Sequence, residues 1–137
     1  MDALRRHGLA GRTLVCPVFP DSLRVVKALG RTLRTGISYP WDRRGLAGRR
    51  AMKPVVKCGI AVLRRALPFR IGGFVARARA DAAMINHLVL SRGVVERCHA
   101  LGAPVFAWTA DNSADLQRVV SMGVDGVVSN DPGIFRR

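Results

Sequence analysis

The chain has 137 residues, of which 49% are hydrophobic and 23% are charged, with a formal net charge of +14. This length suits one domain with a buried core, and the composition is close to that of soluble globular proteins, so disorder is not the default expectation. No run reaches the roughly 18 apolar residues of a membrane span, and the first residues lack the apolar segment of a signal peptide. The sequence therefore predicts a cytoplasmic protein.

The cysteines and histidines give no sign of a metal or redox site. Cys16, Cys58 and Cys98 are far apart and form no C-x-x-C motif, so we expect buried, reduced thiols. The three histidines also lack metal-binding spacing. Local sequence thus predicts no metal site.

The first third of the chain contains two predicted strands. Residues 13–19 form an apolar run, followed by a helix that Asp21 can cap and Gly30 can end. Residues 33–37 form the second short strand.

The positive charge is concentrated in the middle of the chain. Residues 43–81 carry eleven basic side chains and one acidic one, a net +10, whereas residues 1–42 contribute +4 and residues 82–137 contribute none. Within residues 43–79, an insert-like basic segment, we predict a helix from about Met52 to Leu67 that Pro68 stops. This helix is either a solvated outer helix or a docking element for an anionic membrane surface or polyanion.

The last third alternates three apolar runs with two amphipathic segments. The runs at 82–87, 104–109 and 124–128 are apolar almost throughout. Such runs are typical of parallel strands covered on both faces, so this part predicts strand, helix, strand, helix, strand.

The two helices of this part have recognisable ends. Ser91 can cap the first helix and Gly102 can stop it. Asn112 or Ser113 can cap the second, which Gly123 ends.

Polar residues follow each of the three strands. They lie at 86–87, 109–112 and 129–131. Because parallel strands end at the same edge of a sheet and ligands bind there, we expect these residues to share one face.

Two segments of this region resemble a known family. The sequences "FAWTADN" and "LQRVVSMGVDGVVSNDPGIF" are similar to the C-terminal motif of the glycerophosphodiester phosphodiesterase family. Upstream, "VFPDSLRVVKALGRTLRTGISYP" and "DAAMINHLVLSRGVVERCHALGAPV" resemble the strand and helix segments that precede that motif. The resemblance runs from about Thr13 to Phe135.

The resemblance implies an α/β fold, a parallel β/α barrel of the TIM type. A full barrel has eight strands and about 250 residues, so this chain is expected to form one partial domain over 1–137 with about five strands, the C-terminal portion. The implied reaction is metal-assisted hydrolysis of a glycerophosphodiester to glycerol 3-phosphate and an alcohol. Calcium or magnesium would be the cofactor, and two imidazoles would act as base and acid.

The chain departs from the family at its catalytic motifs. It contains no His-Arg-Gly and no Glu-x-Asp, and Glu96, its one glutamate, falls in a predicted helix. Val18-Phe19 replaces the family's Ser-Phe. We therefore expect a member of an enzyme family whose catalytic N-terminal half, with the metal ligands, is absent from this chain, so that the chain alone is inactive.

The resemblance also implies a set of substrate-binding residues. Trp108 matches the family's tryptophan at the mouth of the active site, and the other candidates at equivalent strand ends are Phe19, Asn86 and Asn112. Three further residues are expected to have structural roles in turns: Asp125, Asn130 and Asp131.

A noncatalytic function is the alternative. The basic segment 43–79 would then bind anionic lipid, giving a peripheral membrane location. Nucleic acid is not expected as a partner, because the segment lacks interleaved aromatic residues. An incomplete barrel would also expose strand edges, so we expect self-association.

Overall fold

A computed structural model describes residues 2–17, 20–30, 33–40 and 53–136. The strands are β1 (Leu14–Val15), β2 (Arg34–Tyr39), β3 (Ala82–Asn86), β4 (Val105–Trp108) and β5 (Gly126–Val127). The α-helices are α1 (Asp2–Arg6), α2 (Pro20–Leu29), α3 (Lys53–Ala78), α4 (Arg92–His99) and α5 (Ser113–Val120). Two 3₁₀ helices cover Ala10–Arg12 and Pro132–Arg136.

The five strands form one parallel sheet in the order in which they occur along the chain, β1-β2-β3-β4-β5. A helix lies between each strand and the next. This is the predicted α/β architecture, and its five strands form half of a β/α barrel.

The two faces of the sheet are covered differently. Ile37, Ile85 and Val105 lie on the face that packs against the helices, and they are fully buried. On the open face, the larger side chains Met84 and Phe106 are only half-buried. Both faces are apolar, as the sequence pattern indicates, and the open face is the one that would be interior in a closed barrel.

Helix α3 is longer than predicted. It continues through Pro68 to Ala78 without a break, so the predicted stop at Pro68 is wrong. Leu67, Ile71 and Val75 are buried against the sheet on both sides of that position. Their burial outweighs the single backbone hydrogen bond that a proline removes. The described part of segment 43–79 thus contributes to the core. That this segment is an insert within the domain stays a prediction.

The ends of α4 and α5 follow the sequence closely. Gly102 and Gly123 adopt left-handed φ angles of 68° and 86° just after the two helices, as predicted. At the amino ends the two caps differ. The side chain of Asn112 accepts a hydrogen bond from the backbone N–H of Asp115 at 2.8 Å, whereas the side chain of Ser91 makes no capping bond.

The amino end of the sheet is held by Asp125. Its Oδ2 accepts from the backbone N–H of Val105 at 2.7 Å and lies 2.8 Å from His99 Nε2. These bonds connect the start of β5 to the start of β4 and to the end of α4. Asp125 therefore has the structural role expected of it, at the end of the sheet opposite the candidate site.

Two other sequence-based expectations can be compared with the described residues. None of the described helices is long and apolar enough to cross a membrane. All three cysteines are free, but only Cys98 is buried; Cys16 is half-buried and Cys58 is exposed. The prediction of buried thiols is therefore wrong for Cys58.

Candidate functional site

A cavity of about 270 Å³ opens at the carboxyl ends of the strands. Each of the five strands contributes a residue in it or directly after it. The lining residues are Cys16, Ser38, Pro40, Met84, Trp108, Thr109 and Val128. The carboxyl end of a parallel β/α sheet is where ligands bind in this architecture, so this cavity is the candidate site.

Among the residues that line this cavity, Trp108 has a side-chain hydrogen-bond donor without an acceptor. It ends β4, opposite Asn86 of β3, and its main-chain carbonyl accepts from the N–H of His87 at 2.7 Å. Its indole Nε1 is buried and has no hydrogen-bond partner among the described residues. An indole nitrogen can only donate, so this N–H is an unsatisfied donor in a residue that lines the cavity.

The two candidate asparagines lie at the same end of the sheet but have local bonding partners. Asn86 Oδ1 accepts from the backbone N–H of Leu88 at 3.0 Å, which orders the loop after β3. Asn112 caps α5, and its Nδ2 donates to Asp115 Oδ2 at 2.7 Å. Neither residue belongs to the cavity lining, and Phe19 lies outside the described residues. Substrate binding by these three residues stays a prediction, as it does for Trp108.

A polar cluster beside the cavity was not predicted from the sequence. Arg118 Nη2 donates to Asp115 Oδ1 at 2.7 Å and lies 3.0 Å from His87 Nδ1, and its Nη1 donates to the His87 carbonyl at 3.1 Å. His87 Nδ1 is also 3.2 Å from Asp115 Oδ1. The hydrogen bond from Arg118, with a further one from Asn112, lowers the pKa of Asp115 to about 2. The i,i+3 spacing of Asp115 and Arg118 was visible in the sequence, but the approach of His87 is tertiary.

A second network fixes the rim after β5. Asp111 accepts from the backbone N–H of Asn130 at 2.8 Å, from its side chain at 2.9 Å and from Ser129 Oγ at 3.1 Å. The bonds from Asn130 lower the pKa of the Asp111 carboxyl. Asp131 accepts from the backbone N–H of Gly133 at 2.9 Å. Asn130 and Asp131 therefore fix the last loop, as expected.

The polar ends of the last three strands do meet at one edge. Besides the bond from His87 to Trp108, the N–H of Ala110 donates to the carbonyl of Val128 at 3.1 Å. Asp111 then joins the loop after β4 to the loop after β5. The sequence-based expectation of a shared face is confirmed.

The side chains at this edge that could act as metal ligands do not suit a divalent cation. The carboxylates of Asp111 and Asp115 are each occupied by two or more hydrogen-bond donors. Burial raises the pKa of the Cys16 thiol in the cavity, so it is a poor source of the thiolate that binds metals. Across the described ranges, no group of three or more His, Cys, Asp or Glu side chains is arranged to hold a metal ion.

Comparison with known proteins gives consistent results. The family model "Glycerophosphoryl diester phosphodiesterase family" matches residues 46–134. A glycerophosphodiester phosphodiesterase from Caldanaerobacter subterraneus subsp. tengcongensis is 41% identical over 130 residues, which is 95% of this chain and 43% of that protein. The chain thus spans less than half the length of this relative.

Two solved structures share the fold. A glycerophosphodiester phosphodiesterase from Parabacteroides distasonis has a TM-score of 0.67 at 15% identity, over 98% of this chain and 46% of that chain. A phosphodiesterase from Oleispira antarctica, solved with the product sn-glycerol-3-phosphate, has a TM-score of 0.61 at 16% identity, over 90% of this chain and 40% of that chain.

Proposed function

Because the chain belongs to the glycerophosphoryl diester phosphodiesterase family, we propose that it forms the carboxyl-terminal part of a phosphodiesterase site. The reaction is metal-assisted hydrolysis of a glycerophosphodiester to glycerol 3-phosphate and an alcohol. The observation that carries this proposal is the cavity at the strand ends, which is lined by Trp108, a residue whose buried indole Nε1 has no hydrogen-bond partner among the described residues.

In this proposal the described residues bind substrate and do not carry out the chemistry. The indole of Trp108 packs against the glycerol or alcohol portion, and its N–H donates to an oxygen of the ligand. The cation, calcium or magnesium, and the acid and base are supplied by the part of the family's domain that this chain does not match. The product complex of the Oleispira antarctica protein supports the choice of substrate class.

The first test is hydrolysis of glycerophosphocholine by residues 1–137 alone, with and without added calcium or magnesium. We expect no turnover, because the His-Arg-Gly and Glu-x-Asp motifs are not in this sequence. Turnover by the purified chain would show that the essential groups lie within it.

The second test restores the unmatched part of the domain. A chimera joins the preceding residues of the Caldanaerobacter subterraneus relative to this chain, and we expect it to hydrolyse glycerophosphocholine. Trp108→Ala in the chimera should lower kcat/KM by about tenfold or more, whereas Val25→Ala, at an exposed position of α2, should leave it unchanged. A folded chimera in which both variants match the parent would contradict the role of Trp108.

A second candidate function is a noncatalytic module that binds anionic lipid through segment 43–79. One observation favours it: α3 contains six lysines and arginines and no acidic residue. Its first test is binding to vesicles with and without anionic lipid, and equal, salt-insensitive binding to both would count against it.

A further inference from the structure

One side of α3 carries an exposed and largely apolar stripe. Positions 58, 62, 65, 69, 73 and 76 follow one another at intervals of three or four residues, so they lie on one side of the helix. We call these six residues the α3 stripe: Cys58, Val62, Arg65, Phe69, Gly73 and Ala76. All six are exposed, with Phe69 at 88% and Val62 at 61% of their accessible surface.

The α3 stripe is opposite to the side that packs on the sheet. That side is also apolar, and its Leu67, Ile71 and Val75 are buried. A helix on the outside of a domain normally presents polar residues to water, so a helix that is apolar on two sides is expected to be covered on both. Phe69 also borders an open groove of about 470 Å³ between α3 and α4, lined otherwise by Pro68, Gly93, Glu96, Arg97 and Ala100.

Completion of the barrel would leave the α3 stripe uncovered. Helix α3 connects β2 to β3, and both strands already have a neighbour on each side. Further strands would add beyond β1 and β5, and further helices would join the outer layer next to those strands. Strands and helices added to complete the barrel would therefore not cover the α3 stripe, so we look for its partner outside the barrel.

The charges around the α3 stripe indicate the chemistry of that partner. Arg65 lies within the stripe, and Arg70 and Arg77 lie on one flank of it. These three side chains are exposed, and α3 has no acidic residue to neutralise them. The opposite flank on α4 contributes Arg97 and Glu96. A second copy of the chain would bring the same positive charges together, and each copy has a net charge of +14.

We propose that the α3 stripe docks on an anionic lipid bilayer. Phe69 and Val62 enter the boundary between headgroups and acyl chains, and the neighbouring arginines extend to lipid phosphates. The inference rests on the second candidate function, that segment 43–79 binds anionic lipid, and it adds the side of the helix that makes the contact. It does not depend on whether the site at the strand ends is catalytic.

The test is sedimentation with vesicles of phosphatidylcholine, alone or with phosphatidylglycerol. The wild-type chain should bind the anionic vesicles, and binding should weaken as salt rises. Phe69→Ser should weaken this binding by roughly tenfold or more, because the variant lacks the large apolar side chain whose transfer from water into the bilayer favours binding. The matched control is Phe135→Ser, which changes a phenylalanine that is 54% exposed in the last 3₁₀ helix and should bind like wild type.

A second readout reports insertion directly. Phe69→Trp and Phe135→Trp are mixed with anionic vesicles that contain brominated lipid, and tryptophan fluorescence is compared with that of wild type. Quenching beyond the wild-type background is expected for Phe69→Trp and not for Phe135→Trp.

The possible outcomes separate the inference from the function on which it rests. If the wild type does not bind anionic vesicles, both are overturned. If it binds and Phe69→Ser binds equally well, lipid binding stands and docking through the α3 stripe is overturned. The inference is also overturned if Phe69→Ser changes the assembly state by light scattering but not vesicle binding, because the stripe would then be a protein contact.

Discussion

The polar residues at the strand ends differ in whether their side chains still have a hydrogen-bonding group without a partner. Asn86 and Asn112 are both amides near the end of a strand, yet the side chain of Asn86 bonds within the loop after β3 and that of Asn112 caps α5. Trp108 instead keeps a buried indole N–H without an acceptor in the described part of the chain. The residue type and position could be read from the sequence, but these bonding states follow from three-dimensional packing.

Asp115 gives the site a testable pH dependence. Its pKa in the folded chain is about 2, against about 3.9 for an unperturbed aspartate. A lowered pKa stabilises the fold above pH 4, and this contribution is lost as pH falls towards 2. In urea unfolding, the difference in free energy of unfolding between the wild type and Asp115→Asn should therefore narrow as pH falls from about 4 towards 2.

The control for this prediction is Gln117→Ala, at an exposed and uncharged position on the same helix. Its difference from the wild type should not change over the same pH range. A difference for Asp115→Asn that is as large at pH 2.5 as at pH 4.5 would contradict the role of Asp115 as a stabilising carboxylate.

The helices show where sequence signals for secondary structure hold and where packing overrides them. The glycines that end α4 and α5 behave as predicted, because a left-handed turn is a local requirement that glycine meets at low cost. Pro68 does not end α3, because the residues on either side of it belong to one buried face. The length of the helix is decided by the burial of these residues against the sheet, which the presence of a proline in the sequence does not reveal.

The two predicted caps provide an element-scale test. Asn112→Ala should destabilise the chain by about 1 kcal/mol, because it removes the bond to the first turn of α5. Ser91→Ala should be neutral or slightly stabilising, since the Ser91 hydroxyl is buried without a partner among the described residues. Urea unfolding midpoints of the two variants and the wild type measure the difference, and equal losses for both would be contrary to this expectation.

For the molecule as a whole, the sheet is incomplete in two ways. Among the described strands, β1 and β5 each pair on one side only, and the open face carries apolar side chains such as Met84 and Phe106 that are only half-buried. Unpaired edges and exposed apolar surface both favour association between chains. The strands are apolar on both faces in the sequence. This pattern is consistent with a closed barrel, in which the open face of the sheet would be the interior.

We therefore predict that residues 1–137 alone self-associate. Multi-angle light scattering at tens of micromolar should give a mass above the 14.9 kDa of one chain. The chimera with the preceding part of the relative should be monomeric under the same conditions, because its added strands cover the edges. A stable monomer of the 137-residue chain would contradict this prediction.

Local patterns in the sequence were sufficient for several features. The parallel order of strands and helices, the glycine stops, the turn role of Asp131 and the family could all be read from neighbouring residues, because they depend on periodicity, backbone conformation and short motifs. Tertiary structure alone decided the rest: that α3 continues past Pro68, that His87 meets Arg118, and that Phe69 projects outward. These features depend on which surfaces distant segments bury together, and no local pattern specifies that.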